Sequence, residues 1–267
     1  MNKKFDYIVV GGGSAGCAVA NRLSENSDNQ VLLIEAGKSS HPISRLPASF
    51  ALLIDNPLVN WRYRSEPEES TGNRKIPIPR GKLLGGSSSI NGLVFVRGNK
   101  LDYDTWAQMG NTGWSYDDVL PFFKKMENYQ GNISQLRGEE GPLKVSEVND
   151  RNPIYDAIFK SGEINNIPFN KDYNGKEQEG LGYTQTTIYK GARMSAEVAY
   201  LRPIKSRKNL TILTNSLVTK LLFEKKKCIG AEVKNKNKIL TFMTTKEIIL
   251  SGGAINSPQI LELSGIG

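Results

Sequence analysis

A glycine pattern close to the start of the chain constrains the fold more than any other feature. The apolar run Tyr7 to Val10 ends in Gly11-Gly12-Gly13, and Gly16 follows in a small-residue helical pattern that extends to Leu23. A G-x-G-x-x-G motif between a strand and a helix is typical of dinucleotide binding. The first glycine permits the sharp turn, the second lets the backbone approach a pyrophosphate, and the third lets helix and strand pack closely.

A second apolar run, Val31 to Ile34, ends in Glu35 and stops at Ala36-Gly37. Residues 5–37 therefore predict one β-α-β unit of the Rossmann type. An acid at the end of the second strand can accept hydrogen bonds from a ribose diol, and its charge disfavours the 2′-phosphate of NADP. The motif does not separate NAD from FAD, and a glycine-rich turn without a ligand is the alternative interpretation.

Composition excludes several classes of protein. The chain has 267 residues, 38% hydrophobic and 23% charged, which is typical of a globular protein with one or two domains. With one histidine and two widely separated cysteines, we expect neither a metal site nor a disulfide. The net charge of +8 comes largely from lysines around expected hairpins, at 225–227 and 234–238, so we expect no nucleic-acid partner.

The sequence also bears on location. No apolar run approaches the ~20 residues that span a bilayer, and the start of the chain is too short for a secretory signal. We therefore expect a cytoplasmic protein with at most peripheral contact with the inner face of a membrane.

The segment 80–104 decides between the two dinucleotides. It reads RGKLLGGSSSINGLVFVRGNKLDYD, with paired glycines followed by small hydrogen-bonding residues. Such a loop brings main-chain amides and hydroxyls close to a flat polar ring. The segment resembles the first signature of the glucose-methanol-choline (GMC) family of flavin oxidoreductases.

Three further blocks extend the resemblance over essentially the whole chain. Residues 102–128 are similar to the segment that follows the first signature in choline dehydrogenase-like members, 191–201 match another family block, and 253–267 match the second signature. The resemblance implies an α/β fold, with a Rossmann-like FAD-binding domain and the beginning of an inserted substrate domain.

The resemblance also implies which residues bind FAD. In the adenosine half these are Gly11, Gly13, Ser14, Gly16, Glu35 and Ala36, with Val218 presenting its backbone to the adenine. In the flavin half they are Arg80, Gly86, Ser87, Asn91, Gly92 and Val94, and the backbone of Gly253 and Ala254 is expected near the cofactor. Some members attach FAD through a histidine at the position of Ile90, so here we expect noncovalent FAD.

The domain organisation follows from the same blocks. We expect residues 1–150 and 191–267 to form the FAD-binding domain, with the flavin signature loop at 80–104, and 151–190 to begin the substrate domain. Ser257 and Pro258 predict a helix that starts there and runs to Leu263. A helix with a purely structural role is the alternative to a cofactor contact in this segment.

The implied reaction is oxidation of the CH-OH group of a choline-like or other primary alcohol, with hydride transfer to the flavin. The family places its catalytic histidine beyond the second signature, so we assign no catalytic residue and expect an N-terminal fragment that lacks the C-terminal part of the fold and is inactive on its own. We expect His41 in a loop near the cofactor phosphates.

Two alternatives remain open. The chain could be one subunit of a split enzyme, with the C-terminal half on a separate chain, or a noncatalytic FAD-binding module. An NAD-dependent protein is disfavoured by the two signatures.

Overall fold

The computed structural model describes residues 3–132, 134–148 and 150–267. The chain divides into two compact units: the first combines residues 1–92 with 192–267, and the second consists of residues 93–191.

The α-helices are α1 Ser14–Leu23, α2 Phe50–Leu53, α3 Lys100–Gln108, α4 Tyr116–Met126, α5 Pro153–Ile164 and α6 Gly253–Leu263. The strands are β1 Lys3–Val10, β2 Val31–Ile34, β3 Tyr63–Arg64, β4 Pro77–Ile78, β5 Glu127–Tyr129, β6 Leu143–Glu147, β7 Gln185–Thr186, β8 Ile188–Tyr189, β9 Ala192–Arg193, β10 Leu210–Leu213, β11 Ser216–Glu224, β12 Lys227–Asn235 and β13 Lys238–Leu250. None of the described helices is long and apolar enough to cross a membrane.

A six-stranded sheet in the order β10-β2-β1-β13-β12-β11 is the centre of the first unit. The first four strands are parallel, and β11 and β12 extend the sheet as antiparallel neighbours of β13. Val10 pairs with Ile34 on one side and Leu250 on the other, so β1, β2 and β13 end at the same edge. In parallel sheets this carboxyl edge is where ligands bind.

The apolar runs in the sequence account for this sheet. All four residues of β2 are buried, as expected for a parallel strand covered on both faces. Residues 240–244 and 248–250 belong to one long strand, β13. A bulge makes this possible, because the register with β1 shifts between Phe5 and Tyr7.

Helix α6 begins earlier than the sequence predicts. The expected start at Ser257-Pro258 is wrong: the helix begins at Gly253, and Pro258 lies inside it. Gly253 has a φ of +85°, so the chain turns from β13 into the helix within two glycines. Pro258 cannot donate a hydrogen bond to the preceding turn, a loss confined to the first turns of α6.

The second unit is held together by a short sheet and a buried ion cluster. β5 pairs with β6, and β6 pairs with β7. Glu127 is fully buried and accepts hydrogen bonds from Arg97 at 2.9 Å and Arg137 at 2.7 Å, while Arg137 also donates to Asp172 at 2.6 Å. These contacts join residues 93–150 to 151–191 within the second compact unit, which the chain enters after Gly92 and leaves before Ala192.

Candidate functional site

A cleft of about 750 Å³ lies in the first unit, at the carboxyl edge of the parallel strands. Eleven of the fifteen residues that sequence reasoning selected line it: Gly11, Gly13, Ser14, Glu35, Ala36, Arg80, Gly86, Ser87, Val218, Gly253 and Ala254. Its volume lies within the range of about 300–1,000 Å³ that is common for small-molecule and cofactor sites.

The glycine turn places the start of α1 against this cleft. Gly11 has a φ of +100°, and its N–H donates to the Ile34 carbonyl at 2.8 Å. Gly13 is the residue before the helix and provides no side-chain cap, and the first turn has no acidic residue. The first N–H groups of a helix lack partners within the helix, so this end of α1 can bind an anion.

Two of the motif glycines have different surroundings. A Cβ atom on Gly16 would lie 1.8 Å from the Gly11 carbonyl oxygen, so only glycine lets α1 pack this closely against β1. A Cβ atom on Gly13 would have its nearest neighbour, the Gly86 Cα, 3.9 Å away. Gly13 is therefore not required by the protein's own packing, and the space beside it is available to a ligand.

Glu35 lies at the end of β2 with both carboxylate oxygens hydrogen bonded. Oε2 accepts from the Gly12 N–H and Oε1 from the Gly37 N–H, each at 2.8 Å. Burial raises the pKa of Glu35 to about 6, against the opposing effect of these two hydrogen bonds and of Lys82. Each oxygen retains a second acceptor position, so the carboxylate can also accept from a ligand hydroxyl.

The segment 80–89 forms another wall of the cleft. The Gly85 N–H donates to the Gly12 carbonyl at 2.7 Å, and a Cβ atom on Gly86 would lie 2.7 Å from the Gly13 Cα. The Ser87 hydroxyl accepts from the Gly81 N–H at 3.1 Å. This loop therefore meets the glycine turn at backbone distance.

The structure also places in the cleft an aromatic pair that sequence reasoning missed. The rings of Trp61 and Tyr63 stack at 5.8 Å with an angle of 7°, and Lys82 Nζ lies 4.4 Å from the centre of the Trp61 ring. The Tyr63 hydroxyl donates to Asn256 Oδ1 at 2.6 Å, joining β3 to α6. The sequence Trp61-Arg62-Tyr63 indicates two aromatic side chains on one face of an extended segment, but it does not show which sheet edge that segment approaches.

Four selected residues are not among those that line the cleft. Gly16 lies in the helix–strand contact, and Asn91 accepts hydrogen bonds from Arg193 through its backbone and side-chain oxygens, each at 2.8 Å. Gly92 has open space around it, and Val94, 57% exposed, belongs to the second unit.

Ile90 and His41 also have defined surroundings. Ile90, the residue on which the expectation of noncovalent FAD rests, is buried with Leu53, Val59 and Leu83. His41 is not among the residues that line the cleft; it lines a separate, smaller cavity.

The residues of the cleft fit a dinucleotide. They supply an open helix N-terminus for phosphates, a buried carboxylate one strand away for a ribose, and a polar glycine-serine loop for a ring system. Within the described ranges, no group of His, Cys, Asp and Glu side chains is placed to hold a metal ion.

Comparison with known proteins gives consistent results. Residues 5–267 match the family described as GMC oxidoreductase. The chain is 44% identical over 263 residues to the oxygen-dependent choline dehydrogenase of Rhizobium etli (strain CIAT 652), covering 98% of this chain and 48% of the relative.

Two solved structures show the same fold. A pyridoxine 4-oxidase from Mesorbium loti superposes with a TM-score of 0.94 at 34% identity, over 98% of this chain and 52% of that protein. An FAD-dependent oxidoreductase from Chaetomium thermophilum superposes with a TM-score of 0.91 at 31% identity, over 98% of this chain and 48% of that protein. The chain thus spans about half the length of the proteins that it matches.

Proposed function

Because this chain belongs to the GMC family of oxidoreductases, we propose that its cleft binds FAD noncovalently and that it serves in the oxidation of the CH-OH group of a choline-like or other primary alcohol. Bound flavin would supply the chemistry by accepting a hydride from the carbinol carbon. The chain's own residues bind the cofactor, orient it and exclude water from it.

The adenosine half would lie between the glycine turn and β11. The backbone at Gly11, Gly13 and Ser14, with the N-terminus of α1, would bind the pyrophosphate, and Gly16 allows α1 to approach β1. Glu35 would accept hydrogen bonds from the ribose hydroxyls, with Ala36 beside it.

The remaining proposed contacts are those to the adenine and to the flavin ring. Val218 would present its backbone to the adenine. For the flavin ring we propose the loop residues Arg80, Gly86, Ser87, Asn91, Gly92 and Val94, and the backbone of Gly253 and Ala254 would lie close to the cofactor. Support comes from the hydrogen bond between Gly85 and Gly12, which fixes the loop next to the phosphate-binding turn.

Noncovalent binding rests on position 90. Isoleucine has no nucleophilic atom, and this side chain is buried in an apolar cluster. A covalent link to the flavin from this position is therefore chemically excluded for this chain.

The open space at Gly13 is the single observation that carries the proposal, because the protein's own packing does not require a glycine there. The test is an absorption spectrum of the purified protein, followed by denaturation and chromatography of the soluble fraction. We expect a flavin spectrum and free FAD in the supernatant, and a colourless protein for Gly13→Val. Flavin that stays with the precipitated protein would refute noncovalent binding, and a flavin-loaded Gly13→Val variant would refute the phosphate site.

Turnover needs a separate measurement. Adding choline or another primary alcohol without oxygen to the flavin-loaded protein should bleach the flavin absorbance if this chain is competent for the half-reaction. Flavin that is retained but never bleached would favour the alternative of an FAD-binding module, or of one subunit that requires a C-terminal half on a second chain.

The assignment of residues 1–150 and 191–267 to FAD binding, and of residues 151–190 to the beginning of a substrate domain, is part of this proposal. The cytoplasmic location, with at most peripheral contact with the inner face of a membrane, also stays a prediction.

A further inference from the structure

A second cavity, of about 200 Å³, lies in the first unit and shares no lining residue with the FAD cleft. Five ionisable residues line it: His41, Arg45, Arg193, Glu197 and Arg202. We refer to it as the arginine cavity. One of its walls is formed by Leu83, Leu84 and Ser89, so it borders the proposed flavin loop.

Arg193 is the unusual group in the arginine cavity. It is 1% exposed, and its Nε donates to the Ser44 carbonyl at 2.9 Å while Nη1 donates to the Asn91 carbonyl at 2.8 Å. Its Nη2 is buried without a hydrogen-bond partner. No carboxylate among the described residues lies within ion-pair distance of this guanidinium.

Such an arrangement is costly unless something compensates it. A buried charge needs a counter-charge or a full set of hydrogen bonds, and an unsatisfied donor adds its own desolvation cost. In agreement, burial lowers the pKa of Arg193 to about 10.

The neighbouring groups increase the positive charge. Arg45 Nη1 donates to the Arg193 carbonyl at 2.5 Å, which brings a second guanidinium to the cavity. Glu197 is the single carboxylate that lines it, and this side chain pairs with Arg202 at 3.1 Å. Glu197 also attracts Arg45, so three guanidinium groups share this one carboxylate, and His41 Nδ1 is a second buried polar atom without a partner.

We propose that the arginine cavity binds a small oxyanion, either a carboxylate or an inorganic anion of the phosphate type. The anion would accept hydrogen bonds from Arg193 and Arg45, and from His41 in a form that carries a proton on Nδ1. The cavity is smaller than the usual range for cofactors, so the ligand has few heavy atoms. Nothing in this inference depends on the FAD proposal.

The test is thermal unfolding in sodium chloride, acetate, phosphate and sulfate at equal ionic strength. Wild type is compared with Arg45→Gln and Arg193→Lys, and with Arg74→Gln as a control at an exposed arginine outside the cavity. An anion at ten times its Kd raises the folded-to-unfolded ratio about elevenfold, which corresponds to a Tm rise of about 3–5 °C for a chain of this size. We expect that rise in wild type and Arg74→Gln, and its loss in Arg45→Gln.

Differences between variants carry the result, because phosphate and sulfate stabilise proteins in general. An equal rise in wild type and Arg45→Gln would overturn the proposal, and this comparison holds even if Arg193→Lys fails to fold. A rise in Tm that disappears when FAD is added would assign the anion to the FAD cleft and would also overturn the proposal. A rise that persists in the FAD-loaded protein supports it, and stabilisation by acetate or by phosphate alone identifies which source of oxyanion the cavity takes.

Discussion

Replacing Gly13 by alanine should separate cofactor binding from folding. Gly13 has a φ of −78° and a ψ of −160°, values that alanine adopts without strain, and the nearest atom to the new methyl group would be 3.9 Å away. The unfolded chain loses conformational freedom with this change, so the cofactor-free protein should be unchanged or more stable by about 0.4–1 kcal/mol.

The same methyl group projects into the space that we assign to the pyrophosphate. If it displaces one phosphate oxygen from one backbone N–H, the loss is a charge-assisted hydrogen bond of about 1.5–3 kcal/mol. The Kd for FAD should therefore rise about 10- to 150-fold.

The comparison variant is Gly16→Ala, which makes the same chemical change three residues away. Its Cβ would lie 1.8 Å from the Gly11 carbonyl oxygen, so α1 must move away from β1, and the expected loss of stability is at least about 3 kcal/mol. Urea unfolding measures stability, and quenching of FAD fluorescence on titration measures binding. Wild-type FAD affinity in Gly13→Ala, or wild-type stability in Gly16→Ala, would refute the reasoning.

Three further substitutions test other parts of the structure. Burial raises the pKa of Glu35 from 4.5 to about 6, so between these pH values the folded state binds more protons than the unfolded state, and the free energy of unfolding falls by about 2 kcal/mol as pH rises. Urea unfolding between pH 4.5 and 6 should show that Glu35→Gln loses this pH dependence. A pH dependence that persists in Glu35→Gln would contradict its assignment to Glu35. Glu127→Gln should lower the free energy of unfolding by about 3–5 kcal/mol because two arginines stay buried beside a neutral side chain, whereas exposed Glu139→Gln should have little effect in the same assay. Tyr63→Phe should cost about 0.5–1.5 kcal/mol in urea unfolding through the lost bond to Asn256, and unchanged stability would mean that the bond contributes nothing.

Local patterns predicted the strands that build the cleft. β2 was expected at its observed bounds, because a short apolar run that ends in polar or glycine residues has few other solutions. The start of α6 was wrong for a local reason: Pro258 is a favourable first residue of a helix, and Gly253 resembles a break.

Long-range contacts account for what sequence reasoning did not find. Membership of residues 93–150 in the second unit depends on strand pairing and on the ion pairs of Glu127, which leave no periodic pattern in the sequence. The Trp61–Tyr63 stack and the arginine cavity arise in the same way, since their residues meet through the tertiary fold.

The hydrogen bonds from Arg193 to Asn91 also have a consequence for how the protein can diversify. Asn91 is next to the last residue of the first unit before the chain leaves it, and Arg193 is next to the first residue after the chain returns. The exit and the return are therefore one hydrogen bond apart, and the intervening segment is an insertion with closely spaced ends. Such an insertion can lengthen, shorten or be exchanged during evolution without moving the strands on either side. Because the two ends of the inserted segment are held together, residues 93–191 can change in sequence and length while the first unit keeps its geometry.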